Sequence, residues 1–288
     1  MTAPVRLATR GSELARWQAA WVASRIAGGA TLVIVSTAGD QRADVPLSAI
    51  GGQGVFVKEV QEAVLSGAAD AAVHSAKDLP AVTPPGLCLA AVGEREDPRD
   101  ALVGAPLAAI PEGGVVATGS ARRRALLASR RPDLSFAELR GNIATRLEKA
   151  AAFDAVVMAC AALRRLGLGD RIAEALDPSW FVPQVGQGAI AVECRADDAA
   201  TRERLAALDD PATRRAVTAE RLFLATLGGG CTLPVGAFAT GGASGPLVLT
   251  AVLARAESGP VFRHTASGDD PVALGASVAS ALLAAADA

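Results

Sequence analysis

Short β-branched runs alternate with amphipathic stretches through the first two thirds of the chain, and this alternation restricts the fold more than any other feature. Val5-Arg6-Leu7-Ala8 reads as a strand. A helix follows from about Ser12 to Ala27, with Ser12 placed to cap its first N–H groups. Thr31 to Val35 is a second strand. The loop Gly51-Gly52-Gln53-Gly54 opens a helix whose Phe56, Val60, Val64 and Leu65 share one apolar face. Ala71 to His74 is a buried strand that ends at Ser75-Ala76-Lys77-Asp78, and Pro84-Pro85 marks a loop. A second unit of the same kind begins near Asp100. Its strands at 115–118, 134–136 and 155–158 alternate with helices opening at Gly119-Ser120, opening at Asn142, and running to about Leu166. Such alternation predicts mainly parallel α/β sheets.

Pro183-Gln184-Val185-Gly186-Gln187-Gly188 breaks the pattern, as a hinge or return crossing would. A helix over 213–226 leads to Cys231, and beyond it the composition changes. Segments 237–239, 247–253 and 260–264 resemble antiparallel strands, and an alanine-rich helix over 272–285 closes the chain. This tail reads as a small α+β unit with Cys231 at its entrance.

At 288 residues the chain has room for two or three domains of roughly 100–200 residues each. No run of about 18 strongly apolar residues suggests a membrane span, and the N-terminus enters strand-like sequence directly, so a cytoplasmic location is expected. The four cysteines, at 88, 160, 194 and 231, include no Cys-x-x-Cys pair, and there are two histidines. Neither a metal site nor a disulfide framework is indicated. Net charge is −2 and aromatic content 3 %, which argues against a nucleic-acid partner.

Cys231 lies in Leu-Gly-Gly-Gly-Cys-Thr-Leu-Pro-Val-Gly. Three preceding glycines either make a plain turn around a small apolar cysteine or present a nucleophile, the thiolate being its reactive form. Of the 28 basic residues 25 are arginine, and several fall at element ends: Arg10, Arg122, Arg123, Arg140, Arg146 and Arg165. In open α/β sheets ligands bind at the carboxyl ends of strands, where helix N-termini add N–H donors. Converging there, these arginines would grip a polyanion with many carboxylates; scattered, they would be surface ion pairs. Asp78 leaves an apolar strand toward the same edge. As an anion it could stabilise a developing cation, or it could merely pair with Lys77. His74 reads as a hydrogen-bonded strand residue.

Taken together these segments closely resemble the hydroxymethylbilane synthases, also called porphobilinogen deaminases. The resemblance is carried by Leu7-Ala8-Thr9-Arg10-Gly11-Ser12 with Trp17-Gln18, Gly54-Val55-Phe56-Val57-Lys58-Glu59, and Val73 to Pro80. It continues through Glu94 to Asp100, Thr118 to Arg123, Leu139 to Leu147, Val185 to Gly188 and Gly229 to Gly236, covering nearly the whole chain.

The resemblance implies three domains: two periplasmic-binding-protein-like (type II) α/β domains flanking a cleft, plus a small C-terminal α+β domain. The expected boundaries are 1–95 with 187–208, 98–183, and 211–288. It implies a dipyrromethane joined by a thioether to Cys231 and serving as primer. Porphobilinogen would lose ammonia to give an azafulvene that the terminal pyrrole attacks. Four additions would precede hydrolytic release of linear hydroxymethylbilane. Asp78 would be the catalytic carboxylate. Arg10, Ser12, Lys77, Thr118, Ser120, Arg122, Arg123, Arg140, Arg146 and Arg165 would hold the carboxylates, with Gln18, Phe56, Gln187 and Gly188 as further contacts. A monomer acting on a small molecule, with no nucleic acid, membrane or metal, completes the expectation. One departure is Gln53, where many relatives carry lysine in a loop thought to cover the site. The rivals are a non-catalytic solute-binding protein and an arginine-rich nucleic-acid binder.

Overall fold

In a computed structural model the chain forms two α/β lobes and a smaller α+β unit, with residues 3–37, 56–228, 234–256 and 259–287 described. In chain order the first lobe has β1 (Val5–Arg10), α1 (Glu13–Ala23), β2 (Ala30–Val35), α2 (Lys58–Leu65), β3 (Ala71–Ser75) and β4 (Leu87–Val92). The second has β5 (Asp100–Gly104), β6 (Val115–Ala117), α3 (Ala121–Arg130), β7 (Ser135–Ala137), α4 (Ile143–Lys149), β8 (Ala155–Ala159), α5 (Cys160–Arg165) and β9 (Glu174–Ala175). The chain continues through β10 (Ile190–Arg195), α6 (Ala199–Leu205), α7 (Pro211–Thr226), β11 (Val235–Thr240), β12 (Leu247–Ala254), β13 (Val261–Gly268) and α8 (Pro271–Asp287).

The two larger sheets repeat one strand order, β2-β1-β3-β10-β4 and β7-β6-β8-β5-β9. Both are mixed rather than mainly parallel. β1 runs parallel to β2 and β3, and β6 parallel to β7 and β8. β10, however, pairs antiparallel with β3 and β4, and β5 antiparallel with β8 and β9. Each of these two strands is the first laid down after the chain crosses from the other lobe. It therefore owes its direction to the crossing and not to a helical βαβ connection.

Strand alternation splits each lobe's core into two faces. In the first lobe Leu7, Val73, Ile190 and Val192 pack on Ala19 and Val22 of α1, while Ala8 and Ala72 pack on Val60 and Val64 of α2. In the second, Leu102, Val116 and Val157 meet Leu126 and Leu127 of α3, and Val103, Val156 and Met158 meet Leu163 of α5. α1 stops at Ala23, short of the expected Ala27, because the chain turns into Gly28 and Gly29, at φ 79° and 82°.

The tail is an antiparallel β11-β12-β13 sheet covered by α7 and α8. The two helices touch closely at Gly275: a Cβ there would collide with the Ala219 carbonyl and sit 2.9 Å from the Phe223 amide nitrogen. α7 also fastens this unit to the first lobe, since its Val217 packs among Val57, Ala76, Leu79 and Val92.

Candidate active site

The site is organised by the turn that leaves β3. Ala76–Asp78 is a single 3-10 turn, and successive side chains on such a turn point about 120° apart. Lys77 and Asp78 therefore face different clefts. Lys77 lines a cleft of about 490 Å³, part of it open to solvent, where both lobes and the small unit meet. Ser120, Arg122, Gln184 and Arg221 supply its polar wall; Leu79, Ala81, Val185, Leu224 and Val235 supply an apolar one. Asp78 lines a second cleft of about 360 Å³ with Arg10, Ser12, Gln18, Phe56, His74 and Ser75.

Local sequence explains how these groups are held. Ser12 caps α1, its side chain accepting from Ala15 N, and Ser120 caps α3, accepting from Arg123 N. Thr118 Oγ1 accepts from Ser120 N at 3.2 Å, which ties the strand end to the cap. Gln18 Nε2 donates to Ser75 Oγ at 2.8 Å, fixing α1 against the end of β3. The Arg10 guanidinium lies 4.3 Å from the centre of the Phe56 ring. Asn142 caps α4, and Arg146 Nε donates to the Gly141 carbonyl at 2.8 Å.

Behind the first cleft sits a buried ionic knot. Asp100 Oδ2 accepts from Arg122 Nη2 at 2.8 Å. Its Oδ1 accepts from Arg123 Nη2 at 2.6 Å and from Gln187 Nε2 at 3.1 Å. Arg122 also donates to the Val182 carbonyl and Arg123 to the Val157 carbonyl. Gln187 Oε1 in turn accepts from Lys77 Nζ at 3.4 Å. Burial pushes the Asp100 carboxyl up, but the Arg122 and Arg123 guanidiniums outweigh it and hold the group well below the usual carboxylate range. Asp100→Asn would leave two buried guanidiniums without their counter-charge, a loss of about 3–5 kcal/mol. Urea denaturation at pH 7 should register it; a change below about 1 kcal/mol would contradict this reading.

Lys77 on the cleft wall and several arginines outside it are shifted below their ordinary range. Burial, with Arg123 and Arg140 adding repulsion, lowers Arg146 to about 10. Burial lowers Arg165 to about 10; its Nη2 donates to the Gly188 carbonyl at 2.7 Å, and its guanidinium lies 5.7 Å from the Trp17 ring centre. Arg140 Nη1 is buried without a hydrogen-bond partner. Burial above all, then Arg123, lowers Lys77 to about 8 from 10.5. Cations shifted this way sit in surroundings short of anions.

Lys77 thus makes folding pH-dependent. Between about pH 8 and 10.5 the unfolded chain holds a proton the folded one has lost, so the destabilisation is complete below that window and relieved above it. Lys77→Met should therefore stabilise the protein at pH 7, by at most about 3 kcal/mol, with the gain vanishing toward pH 10.5. Thermal melts across that range check it, and a gain that grew with pH would refute it.

The residues singled out from sequence divide into three sets, apart from Arg140, Arg146 and Arg165, which line neither cleft. Arg10, Ser12, Gln18, Phe56 and Asp78 gather at one cleft, and Lys77, Ser120 and Arg122 at the other. Thr118, Arg123 and Gln187 form the buried support behind the second set, with Gly188 in the adjoining crossing at φ 91°. Cys231 and Gln53 lie outside the described residues. His74 is buried with its Nε2 3.3 Å from Glu193 Oε2, within the first sheet. Sequence reasoning missed Asp100, Gln184 and Arg221. Asp100 is a strand residue and Arg221 a mid-helix residue, and only the meeting of distant segments gives them a role.

Two family models cover the chain: the porphobilinogen deaminase dipyromethane cofactor binding domain over residues 5–203, and the porphobilinogen deaminase C-terminal domain over residues 214–284. The chain belongs to the porphobilinogen deaminase family. It is accordingly an enzyme. A porphobilinogen deaminase of Brevibacillus brevis is 44 % identical over 289 residues, spanning 97 % of this chain and 94 % of the relative. One from Roseiflexus sp. (strain RS-1) is 47 % identical over 289 residues, spanning 96 % and 95 %. One from Acidithiobacillus ferrooxidans is 46 % identical over 291 residues, spanning 97 % and 94 %. Family membership agrees with the two-lobed architecture and the small third unit. Among the described residues no helix is long and apolar enough to cross a membrane.

Proposed function

We propose that this chain is a hydroxymethylbilane synthase that deaminates four porphobilinogen molecules, joins them head to tail on a covalent primer, and releases the linear product by hydrolysis. The observation that carries this reading is the positive lining of the clefts, Lys77 and Arg122 in the first and Arg10 in the second, against Asp78 as the one acidic side chain in either. Lys77, Arg146 and Arg165 are each held below their ordinary range by burial. A ligand whose every pyrrole brings two carboxylates would relieve that imbalance, and no neutral solute would.

The first cleft fits a dipyrromethane. Its apolar wall suits flat rings, its cations suit their carboxylates, and Val235 on its rim lies four residues beyond Cys231 in the chain. Lys77, Ser120 and Arg122 would hold the group there, with Cys231 as its point of attachment. Bound, it would supply a nucleophilic pyrrole carbon for chain growth.

This chain's own residues would then orient and discharge the substrate. In the second cleft Arg10 and Ser12 would take the substrate carboxylates, Arg10 already lying over the Phe56 ring. The half-buried Asp78 carboxylate would face the pyrrole N–H and the positive charge that appears as ammonia leaves, and would take up the proton lost when the ring regains aromaticity. Arg140, Arg146 and Arg165 would receive carboxylates of the lengthening chain, backed by Thr118, Arg123, Gln18, Gln187 and Gly188. The same reading takes the domains as 1–95 with 187–208, 98–183, and 211–288, and the protein as a cytoplasmic monomer without nucleic-acid partner.

The test is the intact mass of the purified protein under denaturing conditions, then peptide mapping around Cys231. Excess mass of two linked pyrroles on that peptide, growing in pyrrole steps with ammonia release on adding porphobilinogen, supports the reading. No gain in mass would overturn it.

A further inference from the structure

Arg221 is the cleft residue whose chemistry the account above leaves unused. It projects from α7 of the small unit into the first cleft and is only 7 % exposed. Its Nη2 donates to Thr83 Oγ1 at 3.1 Å, while Nη1 is buried with no hydrogen-bond partner. A buried guanidinium N–H left unpaired loses its hydrogen bonds to water and gains none in return, so such an atom calls for an explanation. The nearby carboxylate does not provide one. Glu193 has its Oε2 engaged by Gln61 Nε2 at 2.8 Å and approached by His74 Nε2 at 3.3 Å, and it makes no direct ion pair with Arg221. Burial lowers Arg221, and Glu193 offsets this only in part. The cleft in front of it is lined by apolar side chains, by the neutral Ser120 and Gln184, and by Lys77 and Arg122, with no acidic side chain.

We propose that Arg221 is a carboxylate-binding residue of this enzyme, its Nη1 edge taking one carboxylate of the pyrrole unit held in the first cleft beside Lys77. This rests on the function proposed above. The acceptor is an acetate or propionate arm: a planar carboxylate matches one edge of the guanidinium fork, and the aliphatic part of the arm suits the Leu79, Val185 and Leu224 wall. Because Arg221 stands on the small unit and Lys77 on the first lobe, one carboxylate held by both also couples the two units. Arg221 therefore acts first on primer loading.

The experiment compares wild-type protein, Arg221→Gln and Arg221→Lys, all prepared free of bound pyrrole and then given porphobilinogen. Pyrrole mass is followed by denaturing mass spectrometry and folding by thermal melts. Loss of a charge-assisted bond should slow primer loading about 10- to 100-fold in Arg221→Gln. Arg221→Lys, which keeps the buried charge but not the fork, should load at an intermediate rate. Either folded variant loading at the wild-type rate overturns the proposal. Should Arg221→Gln fail to fold, the Lys variant decides alone. A purely structural role, balancing Glu193, is separated by Glu193→Gln: if the double variant with Arg221→Gln regains wild-type loading, the proposal fails, and if it stays slow, the proposal stands. Wild-type protein that gains no pyrrole mass would instead refute the function itself.

Discussion

Cys231→Ala is expected to give a folded protein whose denatured mass remains that of the bare chain, however long it is exposed to porphobilinogen. A thioether needs the sulfur, and no other thiol is suited to replace it. Burial pushes Cys160 and Cys194 up to about 12, so their nucleophilic thiolates are scarce near neutral pH. Cys88 has its Sγ 3.6 Å from Cys194 in the first sheet and lines neither cleft. The cleft cations would still draw pyrrole carboxylates to the variant, but denaturation strips whatever is not covalently joined. Turnover should fall to background, because chain growth has no anchored end. Mass spectrometry of the variant beside the wild type decides the matter. Pyrrole mass on a peptide other than the one bearing position 231 would move the attachment site and refute the assignment.

Asp78→Asn should separate chemistry from folding. The substitution keeps shape and removes charge at a half-buried turn position, so its cost to stability should stay within about 1 kcal/mol. Its cost to the reaction should be far larger. A preorganised carboxylate facing a developing cation contributes roughly 10²–10³-fold, and proton acceptance a comparable factor. An amide also leaves Lys77 and Arg146 without the nearby negative charge that favours their protonated forms. Pyrrole addition should slow by at least about 10²-fold while the melting curve is nearly unchanged. The two readings are taken on one sample, by single-turnover mass analysis and by circular dichroism. A folded variant adding pyrroles within a few-fold of the wild type would remove Asp78 from the chemistry.

Much of the architecture was legible because it depends on local signals. Period-two strands, period-3.6 helices and caps at Ser12, Ser120 and Asn142 are written in neighbouring residues, and most elements stand where those signals put them. The parallel-sheet expectation failed for a non-local reason. β5 and β10 look like any other apolar strands, and nothing nearby in sequence says that each is inserted after a crossing between lobes. The motif resemblance, running the length of the chain, pointed to the family that the comparisons establish.

The sequence by itself determined the secondary structure, the family, and which residue types were available: a glycine-framed cysteine, an acid at a strand exit, and arginines at element ends. Only the tertiary structure decided which side chains face a cleft and which are spent inside. Arg122 and Arg123 are neighbours on one helix, yet Arg122 reaches the cleft wall while Arg123 lies behind it, both bound to a carboxylate more than twenty residues away. Lys77 and Asp78 are adjacent in sequence and line different clefts because a three-residue turn rotates one away from the other. Arg221 carries no local mark at all; it gains a role because Val217, one turn earlier on α7, packs the helix against the first lobe. Propensity and periodicity act over a few residues. Burial, charge pairing and unpaired donors arise where distant segments meet, so they belong to the folded molecule.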